Sequence, residues 1–450
     1  MVFGNRMDNF VAKDPDVIFS VDQGCDDRRV SIADLLDVQA DREHDASPEL
    51  MDKFQPIIGF PNLLLVVLKV TLLKLHCQIL PKEVTLDDKE LLKVFDNVLA
   101  CVDDKVMFVK TFALNLLKAK YLLDNYMVHH DVGSDETKGN PWKLKCYYKE
   151  DTKSGEPVDL TSDGPVQKEL VHLLSMFEAT FTPKQRKNYL FYCMAYLFDH
   201  FNGEGNDKRY LAFLRSLADK FFFEVYLSGD RLNAMKQPLP NAFDDVLLDR
   251  RKLDWELTAG RTVSAEDFDS VYPKGSTVSL YVFNYTDYRL WKKYSDELRG
   301  EEKKVRDPER ISFFESLGCS DFDLQFFNGF YFSRTRKSLE HYYPQSKARS
   351  GDSDTVEALC EKTINCFGNF AMIGSDANST GSNWDPIGKV KLYQDGKLRA
   401  SVASIKFKIM MQICRDNDLQ DSRRQCMQWD AEDIRRHQRK MLEIILKPNK

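Results

Sequence analysis

The sequence predicts an α+β fold that is predominantly α-helical, in which a helical bundle precedes a compact unit of two strands and a helix. The bundle is predicted by apolar residues that recur at helical spacing from Phe54 to about Leu123. The compact unit is predicted by two short apolar and aromatic segments, one running into His341 and one over residues 369–373. These observations divide the chain into a polar N-terminal segment or linker, a helical domain and a strand-containing domain, at residues 1–50, 51–325 and 326–450.

The helical elements are predicted from apolar periodicity and from charges at their ends. Asp87-Asp88 and Asp103-Asp104 stand where helix N-termini favour acidic groups. Glycine and proline residues across 132–163 predict an exposed loop. Helices are predicted to resume at residues 167–177, 183–201 and 209–223, with another around Tyr285–Trp291. Their aromatic stripes are typical of a helical core and less typical of a base-stacking surface.

The C-terminal domain is predicted to begin with its first strand. The aromatic segment 326–332 and the residues that run into His341 are interpreted as this strand, and a polar loop at 346–354 follows it. A helical segment at 356–364 then leads to the second strand at 369–373. Helices at 402–414 and 432–446 complete the domain, and the second contains the basic stretch 435–440.

The composition indicates a soluble globular protein. The chain has 450 residues, of which 43% are hydrophobic and 30% charged, enough for two or three domains with substantial cores. The apolar run at 63–68 is followed by Lys69 and Lys74 and is far too short to span a membrane, and the N-terminus lacks the pattern of a signal peptide. Ten cysteines without CxxC or paired Cys/His spacing argue against structural zinc. We therefore expect a cytoplasmic protein with reduced thiols and no membrane partner.

The charge is distributed unevenly along the chain. Residues 331–450 hold 21 Lys and Arg against 15 Asp and Glu, whereas the whole chain has a net charge of −6. A positive balance at this end is expected if it approaches a polyanion, although charged stretches are more often solvated surfaces.

The most informative pattern joins Glu340 and His341 to Asn369 and Asn378. Phosphodiester hydrolysis requires a base for water, a cation on the scissile phosphate and a group that fixes the tautomer of the base. His341 can be the base, and the Asn369 side chain can hold its ring. Glu340 and Asn378 can offer oxygen to a hard cation. A histidine beside a glutamate is usually structural, and only the matched two-part motif favours catalysis.

This pattern resembles the HNH (ββα-metal) nucleases, and more closely the HNH-like domain of the GmrS/GmrD group of type IV restriction enzymes. Residues 340–346 read Glu-His-Tyr-Tyr-Pro-Gln-Ser, and Gly-Asn-Phe at 368–370 precedes Asn378, Ser382-Asn383 and Lys389. The resemblance implies that His341 is the general base, Asn369 the middle asparagine, Glu340 the acidic ligand and Asn378 the substitute for the final metal-binding histidine. Because both ligands are oxygens, it implies Mg²⁺ or Mn²⁺ and not zinc.

Two further residues have weaker support. Asn383 and Lys389 are candidate substrate-binding residues by resemblance. Asn383 can equally cap a turn, and Lys389 can equally be a solvated lysine. The resemblance is strong at 325–411 and weak over the rest of 55–446. Proteins of this group usually carry a nucleotide-handling domain marked by Asp-Gly-Gln-Gln-Arg, which this sequence lacks. The resemblance therefore implies a separate nucleotide-handling sensor subunit or descent from a longer gene, and modified phage DNA as the target.

The sequence thus predicts a metal-dependent HNH-type DNA endonuclease of a bacterial anti-phage defence system, in which water activated by His341 attacks a phosphodiester. Two alternatives stay open. The first is a catalytically inactive module that descends from such a nuclease and binds DNA or a partner. The second is an RNA-directed nuclease toxin that uses the same residues.

Overall fold

In the computed structural model the chain forms two compact units, which divide near residue 160. The structure describes residues 54–55, 57–75, 77–131, 140–146, 158–181, 187–201, 206–258, 262–298, 306–355, 358–374, 383–394, 404–420 and 428–449. The second unit runs across residue 325, where the sequence prediction placed a domain boundary. It does so because the long helix Leu280–Glu297 packs against the later strand Phe370–Ile373 and against the two C-terminal helices.

The first unit contains the predicted helical bundle. Its helices enclose a core of buried side chains that includes Leu68, Val98 and Phe108. Asp104 caps the third helix, since its carboxylate accepts a 2.9 Å hydrogen bond from the Met107 amide. The elements in chain order are β1 (Phe54–Gln55), α1 (Phe60–Lys74), α2 (Leu91–Cys101), α3 (Lys105–Tyr126), β2 (His129–Asp131), β3 (Trp142–Lys143), β4 (Lys145–Cys146) and β5 (Val158–Asp159).

The prediction of an exposed loop at 132–163 is wrong where the structure describes this segment. Strands β3 and β4 lie there, and Trp142 and Leu144 are buried. Apolar residues alternate with Lys143 and Lys145, and this period of two places the apolar side chains on one buried face. This alternation therefore predicts the local structure better than the surrounding glycines and prolines, which suggested a loop.

The second unit begins with a helical array, and the prediction that its aromatic stripes form a core is confirmed. Tyr189, Tyr192 and Tyr196 on α5 are all buried, and Tyr189 stacks on Phe177 with ring centroids 5.4 Å apart. The elements are α4 (Gly164–Thr180), α5 (Asn188–His200), α6 (Asn206–Lys220) with a π-helical continuation (Phe221–Tyr226), α7 (Ala242–Leu247), β6 (Leu248–Asp249), β7 (Lys252–Leu253), α8 (Ala265–Val271) and α9 (Leu280–Glu297).

The rest of the second unit contains the two predicted strands, which pair as an antiparallel hairpin with His341 opposite Phe370. The prediction of a strand at 326–332 is wrong, because residues 325–328 are helical, Phe327 stacks on Tyr294 at 4.7 Å, and the strand that runs into His341 begins only at Ser338. The elements are α10 (Pro308–Leu317), α11 (Gln325–Asn328), β8 (Ser338–His341), α12 (Glu361–Ile364), β9 (Phe370–Ile373), α13 (Pro386–Gln394), α14 (Ile405–Gln420) and α15 (Ala431–Ile445). No helix in the described part of the chain is long and apolar enough to cross a membrane.

Candidate functional site

Strand β8 places Glu340 and His341 on opposite faces of the hairpin. Successive side chains of a strand point to opposite sides. Glu340 points inward and is 3% exposed, whereas His341 is half-buried on the outer face. The two neighbours in sequence therefore have different environments and can serve different roles.

The His341 ring is held on two sides. Its Nε2 lies 3.1 Å from Asn365 Oδ1, and its ring centroid lies 4.0 Å from that of Phe370. Because an amide oxygen only accepts, Nε2 carries the proton and Nδ1 is the basic nitrogen of the neutral ring. No hydrogen bond to Nδ1 is present among the described residues. Burial lowers the pKa of His341, the Asn365 hydrogen bond opposes that shift, and the charge of Lys389 adds to the lowering.

Asn369 does not hold the His341 ring, which corrects the role expected from the sequence. Its Oδ1 accepts from the Tyr343 amide at 2.9 Å and from Trp429 Nε1 at 3.1 Å. Its Nδ2 donates to the carbonyl oxygens of Tyr343 at 3.1 Å and Ile364 at 3.0 Å. All four hydrogen-bonding positions of this fully buried amide are thereby used. Asn369 therefore holds the backbone of the loop after His341 at Tyr343, whereas Asn365 contacts the His341 ring.

The sequence suggested that Lys389 either contacts a phosphate or is a solvated lysine. The structure agrees with neither role, because Lys389 is buried. Its side chain is fully buried, and Nζ contacts Glu340 Oε1 and the carbonyl oxygen of His341. Burial raises the pKa of Glu340, and the Lys389 ammonium opposes this shift. Burial likewise lowers the pKa of Lys389, and the Glu340 carboxylate opposes it. The two charges compensate each other inside the hairpin.

This ion pair bears on the expected metal site. Asn378, the second expected ligand, lies outside the described residues. Within the described ranges, no three His, Cys, Asp or Glu side chains come together as a metal-binding group. Glu340 offers one oxygen beside an ammonium, and that positive charge disfavours a dication. A cation at Glu340 would therefore have to compete with the Lys389 ammonium for the carboxylate.

Asn383, in the second motif segment (368–389), contacts the first motif segment (340–346) at the protein surface. Its side chain is exposed, and its Oδ1 accepts a 3.2 Å hydrogen bond from Ser346 Oγ. Lys347 and Asp385 form an ion pair beside it. The segment that opens α13 is thereby tied to the end of the first motif.

The basic stretch in α15 is largely neutralised by acidic neighbours. Its arginines pair with carboxylates at the same surface, namely Arg435 with Asp354, Arg436 with Asp433 at 2.7 Å and Arg439 with Glu432 at 3.9 Å. The sequence shows a run of cations, whereas the fold supplies a partner for each arginine. This stretch is therefore a weaker candidate for binding a polyanion than its sequence suggests.

Three contributors to the site escaped the sequence reasoning: Asn365, Trp429 and Lys406. Lys406 is buried, and its Nζ donates to the carbonyl oxygen of Phe367 at 3.0 Å and to that of Phe370. Burial lowers the pKa of Lys406 to about 7. The sequence did contain a signal for Lys406, since this lysine stands inside the apolar helical pattern at 405–414. Asn365 offered only its position four residues before Asn369.

Residues 275–444 match a family model described as the C-terminal domain of GmrSD restriction endonucleases. This range covers 170 of the 450 residues and contains the hairpin and every described residue of the candidate site, so this part of the chain is similar to that domain. No curated protein and no solved structure matches the chain.

Proposed function

We propose that this protein is an HNH-type DNA endonuclease of a bacterial anti-phage defence system, with His341 as its general base. The observation that carries the proposal is the His341 ring, which is half-buried, has its Nε2 fixed by Asn365 and has Nδ1 as its basic nitrogen. The match to the C-terminal domain of restriction endonucleases supports the reaction class, and restriction supports DNA as the substrate.

In the proposed reaction, His341 Nδ1 removes a proton from a water molecule as the water oxygen attacks phosphorus. A P–O bond to the water oxygen forms, the P–O bond to the leaving nucleotide oxygen breaks, and the proton stays on the imidazole. Asn365 Oδ1 stabilises the resulting imidazolium because it continues to accept from Nε2–H. A positioned general base contributes about 10²- to 10⁴-fold to the rate.

Dependence on Mg²⁺ or Mn²⁺ is part of this proposal, with Glu340 and Asn378 as ligands by resemblance. A bound cation would stabilise negative charge that develops on the phosphate. Because Lys389 contacts Glu340, the cation would have to displace this ammonium from the carboxylate. A separate nucleotide-handling subunit and modified phage DNA are likewise proposed from the resemblance, and a cytoplasmic location is proposed from the cysteines, which show no paired spacing.

The direct test replaces His341 and a matched histidine. We expect His341→Ala to fold normally and to cut at least ~100-fold more slowly in single-turnover assays with Mg²⁺ or Mn²⁺. His200→Ala is the control, since His200 is an exposed histidine that stacks on Tyr196 in the same unit. Matched DNA and RNA substrates distinguish the DNA endonuclease from an RNA-directed toxin. Unchanged cleavage by folded His341→Ala would remove His341 from the mechanism.

Asn365 provides a second test of the same geometry. Asn365→Ala removes the acceptor that fixes the tautomer, so cleavage should slow while binding is kept. Asn365→Asp keeps an acceptor and adds a negative charge, which should raise the pKa of His341 and shift the pH–rate profile upward. A merely structural asparagine would lower stability in both variants without moving the profile.

A catalytically inactive binding module is the second candidate, and the ion pair between Glu340 and Lys389 favours it. A carboxylate already compensated by an ammonium has less need of a cation. This candidate predicts that the wild-type protein binds DNA and leaves supercoiled plasmid intact at every concentration of Mg²⁺ and Mn²⁺. Nicking that disappears in His341→Ala would exclude it.

A further inference from the structure

Gly275, the first residue of the short 3₁₀ turn Gly275–Thr277 before α9, lies directly against the ring of Phe370. A Cβ atom added at Gly275 would lie 2.3 Å from Cδ2 and 2.7 Å from Cε2 of this ring, and 3.0 Å from the carbonyl oxygen of Cys366. Carbon atoms in contact are about 3.5–4.0 Å apart, so the ring fills the space that a side chain at this position would need. The φ of Gly275 lies outside the left-handed region, so the glycine is required by space and not by its backbone conformation.

The ring of Phe370 also contacts the ring of His341. The two centroids lie 4.0 Å apart and the ring planes are inclined by 48°, which leaves no room for another atom between them. The backbone of Phe370 is held in place, because it pairs with His341 across the hairpin and its carbonyl oxygen accepts from Lys406. A displacement of the Phe370 ring by a side chain at position 275 would therefore change its contact with His341.

A second contact connects Gly275 to His341 through Asn365. The Gly275 amide donates to the carbonyl oxygen of Asn365 at 2.5 Å, and the Oδ1 atom of Asn365 lies 3.1 Å from His341 Nε2. Gly275 thus contacts both residues that hold the His341 ring, namely Phe370 by packing and Asn365 by a hydrogen bond. A change at Gly275 would reach the ring by two routes.

We infer that Gly275 is a positioning residue for His341, because its missing side chain lets Phe370 and Asn365 hold the imidazole in the orientation required for proton transfer. This inference rests on the proposed function and extends it to the turn before α9. A general base must lie within hydrogen-bonding reach of the proton that it removes. A misplacement of about 1 Å can slow a reaction by about 10²-fold, so a single methyl group at position 275 should affect the rate.

The substitution Gly275→Ala in the full chain tests this inference. We expect single-turnover cleavage of DNA with Mg²⁺ or Mn²⁺ to slow by about 10- to 100-fold, while the Kd for DNA stays the same. Gly229→Ala is the matched control, because Gly229 also begins a short 3₁₀ turn in the same unit and a Cβ atom added there meets no atom within 4 Å. Phe370→Val removes both ring atoms that the added methyl group would meet, so Gly275→Ala should cause no further slowing in that background.

Nuclear magnetic resonance of the His341 ring gives a measurement that does not depend on cleavage. The signals of this ring are those that disappear in His341→Ala. In the wild type, the neutral ring should carry its proton on Nε2, since Asn365 offers an acceptor there. We expect Gly275→Ala to change the pKa and the tautomer of His341, and Gly229→Ala to change neither. A glycine that only supports the fold would lower the melting temperature on substitution and leave the pKa and the tautomer as they are.

The outcomes separate this inference from the nuclease proposal. An unchanged pKa and tautomer of His341 in folded Gly275→Ala overturn the positioning role even if His341 proves catalytic. A change in both supports the positioning role even if the wild-type protein never cuts DNA, and only the nuclease proposal then fails. If Gly275→Ala does not fold, Gly275→Ala/Phe370→Val is compared with Phe370→Val. Equal His341 signals in these two variants support the inference, whereas a double variant that also fails to fold, or whose His341 signals differ, overturns it.

Discussion

The buried ion pair between Lys389 and Glu340 allows a quantitative prediction for Lys389→Met. The side chains of Lys389 and Glu340 are 0% and 3% exposed, so neither charge is solvated. Methionine retains most of the lysine stem and removes the ammonium, which leaves a buried carboxylate without its partner. Removing one member of a buried pair costs about 3–5 kcal/mol, and we expect a loss of this size in the free energy of unfolding.

We expect the double variant Glu340→Gln/Lys389→Met to be more stable than Lys389→Met alone. Burial shifts the pKa of Glu340 upward and that of Lys389 downward, which shows that desolvation opposes both charges. Replacing both charges removes this cost together with the attraction, so the double variant should recover most of the lost stability. A double-mutant cycle should therefore give a coupling of about 3 kcal/mol or more, since the double variant recovers most of the loss caused by Lys389→Met alone.

The assay is urea denaturation at neutral pH, with Lys391→Met as the control. Lys391 lies on the same helix two residues further and is exposed, so its loss should change the midpoint little. The cost of Lys389→Met should also shrink as the pH falls. The pKa of Glu340 is already raised and loses the opposing ammonium, so the carboxyl becomes protonated and neutral. A loss below about 1 kcal/mol, or strictly additive single variants, would refute the reasoning.

Four further predictions follow from the site. Gly368→Ala would place its Cβ 2.3 Å from the Ile434 carbonyl oxygen, so it should destabilise by about 1–3 kcal/mol in thermal melting, whereas Gly164→Ala meets open space and should not. Because the pKa of His341 is lowered and the base must be neutral, single-turnover cleavage should rise with pH through that pKa and be constant near neutrality; a rate that falls over this range would exclude the base. Asn369→Ala leaves buried partners unsatisfied and should cost about 1–3 kcal/mol for each, so a variant of wild-type stability would contradict its role. Finally, EDTA should abolish cleavage, and full activity in EDTA would remove the metal from the proposal.

The periodic elements of this fold were accessible from the sequence because their signals are local. Helices α1–α3 and strand β9 follow from apolar spacing within each segment. The segment 325–328 was misread because aromatic residues favour both strands and buried helices, and its packing on Tyr294 is decided by the tertiary structure.

The contacts within the candidate site were harder to predict from the sequence. The motif located His341 and its neighbours, and the structure confirms that the two strands bring the motif segments together. The pairing of Glu340 with Lys389 joins residues 49 positions apart, and no local rule selects that lysine among the others. Asn365 and Asn369 are the same residue type four positions apart, and only the fold decides which side chain contacts the His341 ring.

The residues just before β9, Gly368 and Asn369, form hydrogen bonds with α15 and with Trp429, and these bonds affect the cooperativity of local unfolding. Gly368 donates its amide to Gln438 Oε1 at 3.0 Å, and Trp429, just before α15, donates to Asn369. The loop after His341 depends on Asn369 in turn. Separation of the C-terminal helix would break the hydrogen bond between Gly368 and Gln438 and, where Trp429 leaves with the helix, the bond to Asn369. We therefore expect the two segments to open together, with a common exchange rate for their protected amides. A lesion far from His341, such as proteolytic loss of α15, would then silence the site without altering any residue that contacts the ring.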